Sequence, residues 1–167
     1  MEIERKWLVG GWPQADYPVL FEEKMRQGYV SVEPTVRIRE EERAGSVQYI
    51  LCFKSRGTLA REEIEFPIPE EKFREIEEKI IGLPLIRKIR RTYLLPDGLH
   101  LEVNIVDQGE PGEFMYAEIE YPDEAAAKSW TPPDPDLARY LGSEVTMIPG
   151  SSMGAYWIRT RLQGKQS

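Results

Sequence analysis

The stretch Glu2-Ile3-Glu4-Arg5-Lys6 places charged side chains at alternate positions near the start of the chain. Because alternate side chains of a β-strand share a face, the stretch predicts a strand with Glu2, Glu4 and Lys6 on one side. Ile3 and Arg5 take the opposite side. Taken alone, such a stripe is typical of the solvated face of an edge strand, so its meaning depends on whether later strands repeat it.

Later segments of the chain repeat this alternation, and turn residues separate them from one another. We predict strands at residues 25–32, 35–41, 47–54, 61–66, 85–95, 99–106 and 114–121. The face that carries the charges contains both signs, while the other face is largely Ile, Val, Leu and Phe. The acids are Glu2, Glu4, Glu63, Glu65, Glu102, Glu118 and Glu120, and the bases are Lys6, Arg37, Arg39, Lys54, Arg61, Lys88 and Arg90.

Helical segments interrupt or follow the predicted strands. Pro69 suits the first turn of a helix and Gly82 suits its end, with apolar residues at helical spacing between them. Shorter helices are predicted at residues 136–141 and 151–162. About eight strands joined by turns and one helix favour an α+β fold whose antiparallel sheet closes into a barrel. If flanking helices cover its apolar outside, the charged faces line the lumen.

Length and composition limit the class of protein. The 167 residues suit one domain, predicted to span 1–167 with a disordered tail from about residue 163. A net charge of −7 disfavours a nucleic-acid binder, and the apolar runs are too short to cross a membrane. One cysteine, Cys52, excludes an internal disulfide, and one histidine, His100, makes histidine-centred catalysis a poor hypothesis. We expect a cytoplasmic protein.

A closed lumen lined by both signs of charge requires water, ions or a ligand to fill it. Desolvating a carboxylate or an ammonium group costs several kcal/mol even after relaxation. Carboxylates favour hard cations such as Mg²⁺ or Mn²⁺, and Arg and Lys favour oxyanions, with Arg making forked contacts to phosphate. Together they predict a metal-complexed polyphosphate, because phosphoryl transfer needs mainly positioning and charge neutralisation.

The order of these motifs resembles that of the CYTH, or triphosphate tunnel metalloenzyme, superfamily. Its N-terminal ExExK stands here as residues 2–6, and the later matches are Gln27-Gly28-Tyr29, Arg37-Ile38-Arg39, Phe53-Lys54, Glu63-Ile64-Glu65, Lys88-Ile89-Arg90 and Glu118-Ile119-Glu120. The resemblance covers residues 1–121, whereas residues 147–157 match poorly. It implies an eight-stranded antiparallel tunnel that binds triphosphate compounds together with a divalent metal. Known activities in the family include inorganic triphosphatase, thiamine triphosphatase and class IV adenylate cyclase.

The resemblance and the charges together predict three overlapping groups of site residues. The substrate-binding group is Lys6, Arg37, Arg39, Lys54, Arg61, Lys88 and Arg90. The group expected to hold Mg²⁺ or Mn²⁺ is Glu2, Glu4, Glu63, Glu65, Asn104, Glu118 and Glu120. The catalytic group is Glu2, Glu4, Lys6, Arg39 and Lys88.

Asn104 departs from the family pattern. Members of the family usually carry an Asp in the strand before the last Glu-x-Glu, as an additional metal ligand, and here that position holds Asn104. Asp107 lies three residues on and faces the other way by strict alternation, unless a β-bulge re-aims it. An amide oxygen still binds Mg²⁺ but brings no negative charge, so we expect weaker metal binding than from three carboxylates.

The predicted activity is hydrolysis of inorganic triphosphate or a related compound. One alternative is a class IV-type adenylate cyclase, or a thiamine or nucleoside triphosphatase, on the same scaffold, although the sequence reveals no adenine pocket. An alternative of another class is a non-catalytic polyphosphate-binding module, which would not need the Glu-x-Glu pairs. The expected partner is a triphosphate-containing small molecule rather than nucleic acid or membrane, and the chain is expected to be a monomer or a homodimer.

Overall fold

The structure is a computed structural model that describes residues 1–163. The predicted disordered tail from about residue 163 lies outside the described residues, apart from its first position. Ten strands dominate the described part of the chain. Their bounds are β1 Glu2–Val9, β2 Val19–Ser31, β3 Thr35–Arg43, β4 Ser46–Lys54, β5 Ala60–Arg61, β6 Glu63–Pro67, β7 Ile86–Leu94, β8 His100–Val106, β9 Phe114–Glu120 and β10 Ser143–Glu144.

The strands form one antiparallel sheet in the order β10-β1-β9-β8-β7-β2-β3-β4-β6. The short β5 pairs with β1, placing Glu2 opposite Arg61 and Ile3 opposite Ala60. Because β5 leads directly into β6, which pairs with β4, the far end of the sheet returns to the first strand. The result is a nearly closed antiparallel barrel, which confirms the predicted tunnel-type α+β fold.

Most strands lie within two residues of their predicted bounds, and two differ more. The strand predicted from residue 25 begins at Val19, because its earlier residues pair with β7 through an irregular register between Val19 and Phe21. The strand predicted at residues 61–66 is interrupted at Glu62. There the backbone bonds instead to Ser55, through a 3.0 Å bond from the Ser55 N–H and a 2.9 Å bond to its Oγ. Pairing with a distant strand therefore sets the first difference, and a local contact with Ser55 sets the second.

Helices pack on the outer face of the barrel. They are α1 Glu70–Glu75, which continues as the π-helical segment Ile76–Ile81, α2 Glu124–Ser129, α3 Pro135–Tyr140 and α4 Met153–Trp157, which continues as the π-helical segment Ile158–Leu162. Three of them correspond to predicted helices, while α2 was not predicted. Asp123 caps α2 by accepting a hydrogen bond from the Ala126 N–H. Within residues 1–163, no helix has both the length and the apolar character needed to cross a membrane.

Two apolar cores fix which face of each strand points outward. Under α2 and α3, Ile3, Trp7 and Ile119 are buried with residues of β8 and of the two helices. In the second core, Phe73 of α1 packs with Ile38 of β3 and with the aromatic side chains of α4. Since strand side chains alternate, burying the apolar positions on the outside directs the charged positions into the lumen.

Candidate active site

The lumen of the barrel contains a cavity of about 480 Å³. Among residues 1–163, eight carboxylates and eight cationic side chains line it, in agreement with the mixed charges that alternate along the predicted strands. The predicted site residues that line it are Glu2, Glu4, Lys6, Arg37, Arg39, Lys54, Arg61, Glu63, Glu65, Lys88, Arg90, Glu118 and Glu120. The structure thus brings together every predicted site residue except Asn104.

Asn104 is fully buried beside Arg90 and is absent from the cavity lining. Its Oδ1 accepts a 2.9 Å hydrogen bond from Nε of Arg90, so its metal-binding role stays a prediction. Asp107 has a φ of 48° just after β8, and its carboxylate accepts hydrogen bonds from Arg161 and Tyr156. It therefore attaches the C-terminal segment to the barrel and lies outside the cavity lining, as strict alternation predicted.

Glu4 and Glu118 form the most deeply buried pair of carboxylates in the cavity. Burial, followed by the charge of Glu118, raises the pKa of Glu4 well above its ordinary value. Burial alone would also raise the pKa of Glu118, but a hydrogen bond with Glu4 and the nearby Lys6 and Arg90 lower it overall. The pair therefore favours sharing one proton over carrying two charges, and a divalent cation is a natural replacement for that proton.

A second group of carboxylates surrounds Lys54. Its Nζ lies 2.9 Å from Oε1 of Glu2 and 3.2 Å from Oε2 of Glu63. Farther along the cavity, burial raises the pKa of Glu120, and the charges of Glu2 and Glu102 add to the effect. The carboxylate oxygens on this side suit Mg²⁺ or Mn²⁺.

The opposite side of the cavity is a wall of cations on β3 and β7. Lys88 is 3% exposed and its Nζ donates a 3.0 Å hydrogen bond to the Tyr116 hydroxyl. Burial, then the charges of Arg90 and Arg39, lower the pKa of Lys88 well below that of an ordinary lysine. The buried Nε atoms of Arg37 and Arg39 have no hydrogen-bond partner within residues 1–163. This crowding of unpartnered donors and like charges fits a polyanion.

Three connecting segments line the cavity together with the strands: residues 32–35, 55–58 and 145–154. The last of them runs from the end of β10 into α4. The Nζ of Lys6 donates a 2.6 Å hydrogen bond to the carbonyl oxygen of Ser151. At the surface, Nε of Arg56 lies 2.7 Å from a Glu33 oxygen and so links the first two segments. These three segments were not among the predicted parts of the site.

Tyr116 also lines the cavity, although it was not among the predicted site residues. It lies two positions before Glu118 on β9 and is 1% exposed, with its hydroxyl bonded to Lys88. The same alternation that placed Glu118 in the lumen also places Tyr116 there, so the signal was present in the sequence. The residues of 145–154 offered no such signal, because they are not in a strand.

The fold and the site together define a class of protein: an antiparallel tunnel whose lumen holds opposed groups of carboxylates and cations. The chain is 33% identical to the inorganic triphosphatase of Nitrosomonas europaea over 145 residues, which are 87% of this chain and 89% of the relative. A comparison with family models gave no match. The chain belongs to the CYTH, or triphosphate tunnel metalloenzyme, superfamily.

Solved structures agree with this assignment. The crystal structure of the inorganic triphosphatase NE1496 superposes with a TM-score of 0.59 at 26% sequence identity, and the match covers 93% of each chain. The PH1819 protein from Pyrococcus horikoshii OT3 superposes with a TM-score of 0.57 at 19% identity, covering 77% of this chain and 82% of that one. The second match, at its low identity, supports the fold alone.

Proposed function

We propose that this protein hydrolyses inorganic triphosphate to phosphate and pyrophosphate with the help of a divalent metal ion. The observation that carries the proposal is the cavity of about 480 Å³ in which several carboxylates face a wall of cations. A relative that shares 33% of its residues over most of the chain is named an inorganic triphosphatase, which supports the same reaction here.

The cationic side chains provide the phosphate-binding surface. Lys6 and Lys54 come from β1 and β4, Arg61 from β5, and the remaining four from β3 and β7, so the cations reach the cavity from several sides. Arg offers paired N–H donors that match two phosphate oxygens, whereas Lys acts as a compact charge. The seven cations proposed for this role are Lys6, Arg37, Arg39, Lys54, Arg61, Lys88 and Arg90.

The carboxylates provide the metal site. Burial and the charge of Glu118 raise the pKa of Glu4, so this pair disfavours two negative charges unless a cation is added. Such oxygen-rich surroundings fit Mg²⁺ or Mn²⁺, held by Glu2, Glu4, Glu118 and Glu120, with Glu63 and Glu65 available on the facing strand. When bound, the ion supplies positive charge to the phosphate oxygens and lowers the pKa of nearby water.

The protein side chains then perform the remaining tasks of the reaction. Glu2 and Glu4 orient a water molecule for in-line attack on the terminal phosphorus, while the bond from that phosphorus to the bridging oxygen breaks. Lys6, Arg39 and Lys88 neutralise the negative charge that accumulates on the departing pyrophosphate. The products are phosphate and pyrophosphate, and the proton of the water is released to solvent.

Inorganic triphosphate is the proposed substrate because charged groups dominate the cavity. Its aromatic lining residues within residues 1–163 are Tyr29 and Tyr116. The ring centroid of Tyr29 lies 5.9 Å from that of Trp157. The centroid of Tyr116 lies 4.3 Å from Nζ of Lys6 and 5.8 Å from the stacked ring of Phe114, so both tyrosine rings are engaged in contacts with the protein. Neither is free to stack on an adenine or thiazolium ring, which places ATP cyclisation and thiamine triphosphate hydrolysis second.

The test is phosphate release from inorganic triphosphate, ATP and thiamine triphosphate, each with Mg²⁺ and Mn²⁺ in parallel. We expect the highest kcat/KM for inorganic triphosphate and no turnover after metal chelation. Cyclic AMP and pyrophosphate as the main products from ATP would establish a cyclase instead. Binding of triphosphate without any turnover would establish the non-catalytic module.

The proposed setting is the cytoplasm. The buried Cys52 thiol is free, which fits a reducing compartment. The protein is proposed to act as a monomer or a homodimer on a small soluble substrate, and size-exclusion chromatography with light scattering distinguishes the two states.

A further inference from the structure

Cys52 lies in the wall of the barrel, next to two carboxylates. It is 1% exposed on β4, and it stands opposite Glu65 of β6 in the antiparallel register. Its Sγ and one carboxylate oxygen each from Glu63 and Glu65 all lie within 4.8 Å of one another. The thiol has no hydrogen-bond partner within residues 1–163, and the hydrolytic reaction does not use it.

The three donor atoms suit a metal ion different from the one proposed for catalysis. A thiolate is a soft ligand that favours ions such as Zn²⁺, whereas Mg²⁺ and Mn²⁺ favour sites made of oxygen alone. Tetrahedral Zn²⁺ with bonds of about 2.3 Å to sulfur and about 2.1 Å to oxygen brings its ligand atoms to within about 3.6 Å of one another. The donors therefore need to approach by about 1 Å, which rotation of the two glutamate side chains supplies.

The surrounding charges accommodate such an ion. Binding breaks the S–H bond of Cys52, releases the proton to solvent and forms a bond between sulfur and the metal. One thiolate and two carboxylates around a divalent ion leave a net charge of −1. Arg37, which pairs with Cys52 across β3 and β4, offsets that charge.

We propose that Cys52, Glu63 and Glu65 form a binding site for a thiophilic divalent ion, Zn²⁺ or Cd²⁺, and that occupation of this site inhibits the protein. Inhibition follows because the ion draws Glu63 and Glu65 toward the barrel wall and out of the catalytic cavity. It also removes Glu63 from Lys54, which then loses one of the contacts that position it. The inhibitory part rests on the proposed hydrolytic function, but the binding part does not.

Binding is tested with Cd²⁺ and tag-free protein, in the absence of substrate. Cys52 is the one cysteine of the chain, so an ultraviolet thiolate-to-cadmium charge-transfer band reports on this residue directly. We expect the band to saturate at one Cd²⁺ per chain and to vanish in both Cys52→Ser and Cys52→Ala. Thermal melts of the two variants verify that each is folded. A folded wild-type protein that shows no such band would overturn the proposal.

Inhibition is tested by titrating Zn²⁺ into the triphosphatase assay at saturating Mg²⁺. Cys52→Ser should keep the wild-type rate without Zn²⁺ and need a Zn²⁺ concentration at least about tenfold higher for half-maximal inhibition. Equal inhibition of wild type and variant would place the inhibitory ion at other carboxylates and overturn the regulatory role. If the protein hydrolyses no triphosphate yet shows the cadmium band, the proposed function fails and the site is supported.

Discussion

Replacing Lys88 with methionine separates the effect of this charge on the free protein from its effect on catalysis. The side chain is 3% exposed, and its Nζ donates a 3.0 Å hydrogen bond to Tyr116. Burial and the neighbouring Arg90 and Arg39 lower the pKa of Lys88 well below its usual value, so its charged form is unfavourable without an anion. Methionine keeps a similar length and removes the ammonium group.

Without substrate, the free energy of unfolding should rise in this variant. Exchanging buried charge for an apolar side chain of similar volume is neutral or stabilising by about 1–4 kcal/mol, and losing the hydrogen bond to Tyr116 removes about 1 kcal/mol. A net gain of about 1–2 kcal/mol corresponds to a Tm increase of about 2–8 °C in a chain of this length.

The Tm increase of Lys88→Met should become smaller as the pH rises. Because folding lowers the pKa of Lys88, the unfolded chain binds that proton more tightly than the folded protein does. The destabilisation that the buried Lys88 charge causes in wild type is therefore complete below the folded pKa of this residue. It decreases as the pH rises from that pKa and disappears above the ordinary lysine pKa of about 10.4. The Tm difference between Lys88→Met and wild type should decrease over the same interval.

Catalysis should change in the opposite sense to stability. Loss of one preorganised charge at the phosphates should reduce kcat/KM for triphosphate about 10²–10³-fold. Lys24→Met is the matched control. Because Lys24 is exposed on β2, this substitution should leave both the Tm and kcat/KM unchanged. Calorimetric melts and phosphate-release kinetics on the same preparations provide the measurements. A lower Tm for Lys88→Met together with wild-type kinetics would refute the assignment of Lys88 to the cation wall.

Three further substitutions test other parts of the site. Burial and the charge of Glu118 disfavour the ionised form of Glu4. Glu4→Gln should therefore raise the metal-free Tm and raise the Mg²⁺ concentration needed for half-maximal phosphate release in a metal titration. Asn104→Asp should lower the Mg²⁺ concentration for half-maximal phosphate release, because it adds a charged oxygen beside the metal-binding carboxylates; an unchanged Mg²⁺ requirement with a raised KM for triphosphate would instead show that this residue acts by holding Arg90. Asp107→Asn should lower the free energy of unfolding by about 1–3 kcal/mol. Burial alone would raise the pKa of Asp107, but hydrogen bonds from the C-terminal segment lower it overall, so the difference in melts should vanish as the pH falls through the folded pKa.

The predictable part of the site is the part that alternation determines. Glu2 and Glu4 on β1, or Lys88 and Arg90 on β7, are two residues apart, so each pair shares a face in any strand. Once the apolar partners of such pairs are buried under helices, the lumen position of the charged residues follows without knowledge of the strand order. This is why lining residues from seven different strands were identified from the sequence.

The parts that were missed depend on contacts between distant residues. The beginning of β2 at Val19 is stabilised by pairing with β7, some seventy positions later, as in the pair of Val19 with Tyr93. Residues 145–154 reach the cavity through contacts such as the bond between Lys6 and Ser151, which no local pattern encodes. Asn104 is a third case, because Arg90 approaches it across the β7–β8 ladder and engages its side-chain oxygen.

The ion pairs inside the barrel indicate that metal and triphosphate assist each other's binding. Without ligands, Arg90 lies 3.0 Å from a Glu102 oxygen and 3.8 Å from a Glu118 oxygen, so the proposed metal-binding and phosphate-binding groups neutralise each other. A cation bound at Glu118 replaces Arg90 as its counter-charge and frees the guanidinium for phosphate. A bound triphosphate replaces the carboxylate as the partner of Arg90 and frees Glu118 for metal. Because coupling between two binding sites is reciprocal, each ligand increases the affinity for the other by the same factor. The mixed charge of the lumen therefore supports the protein when it is empty and favours joint binding of metal and triphosphate over either one alone.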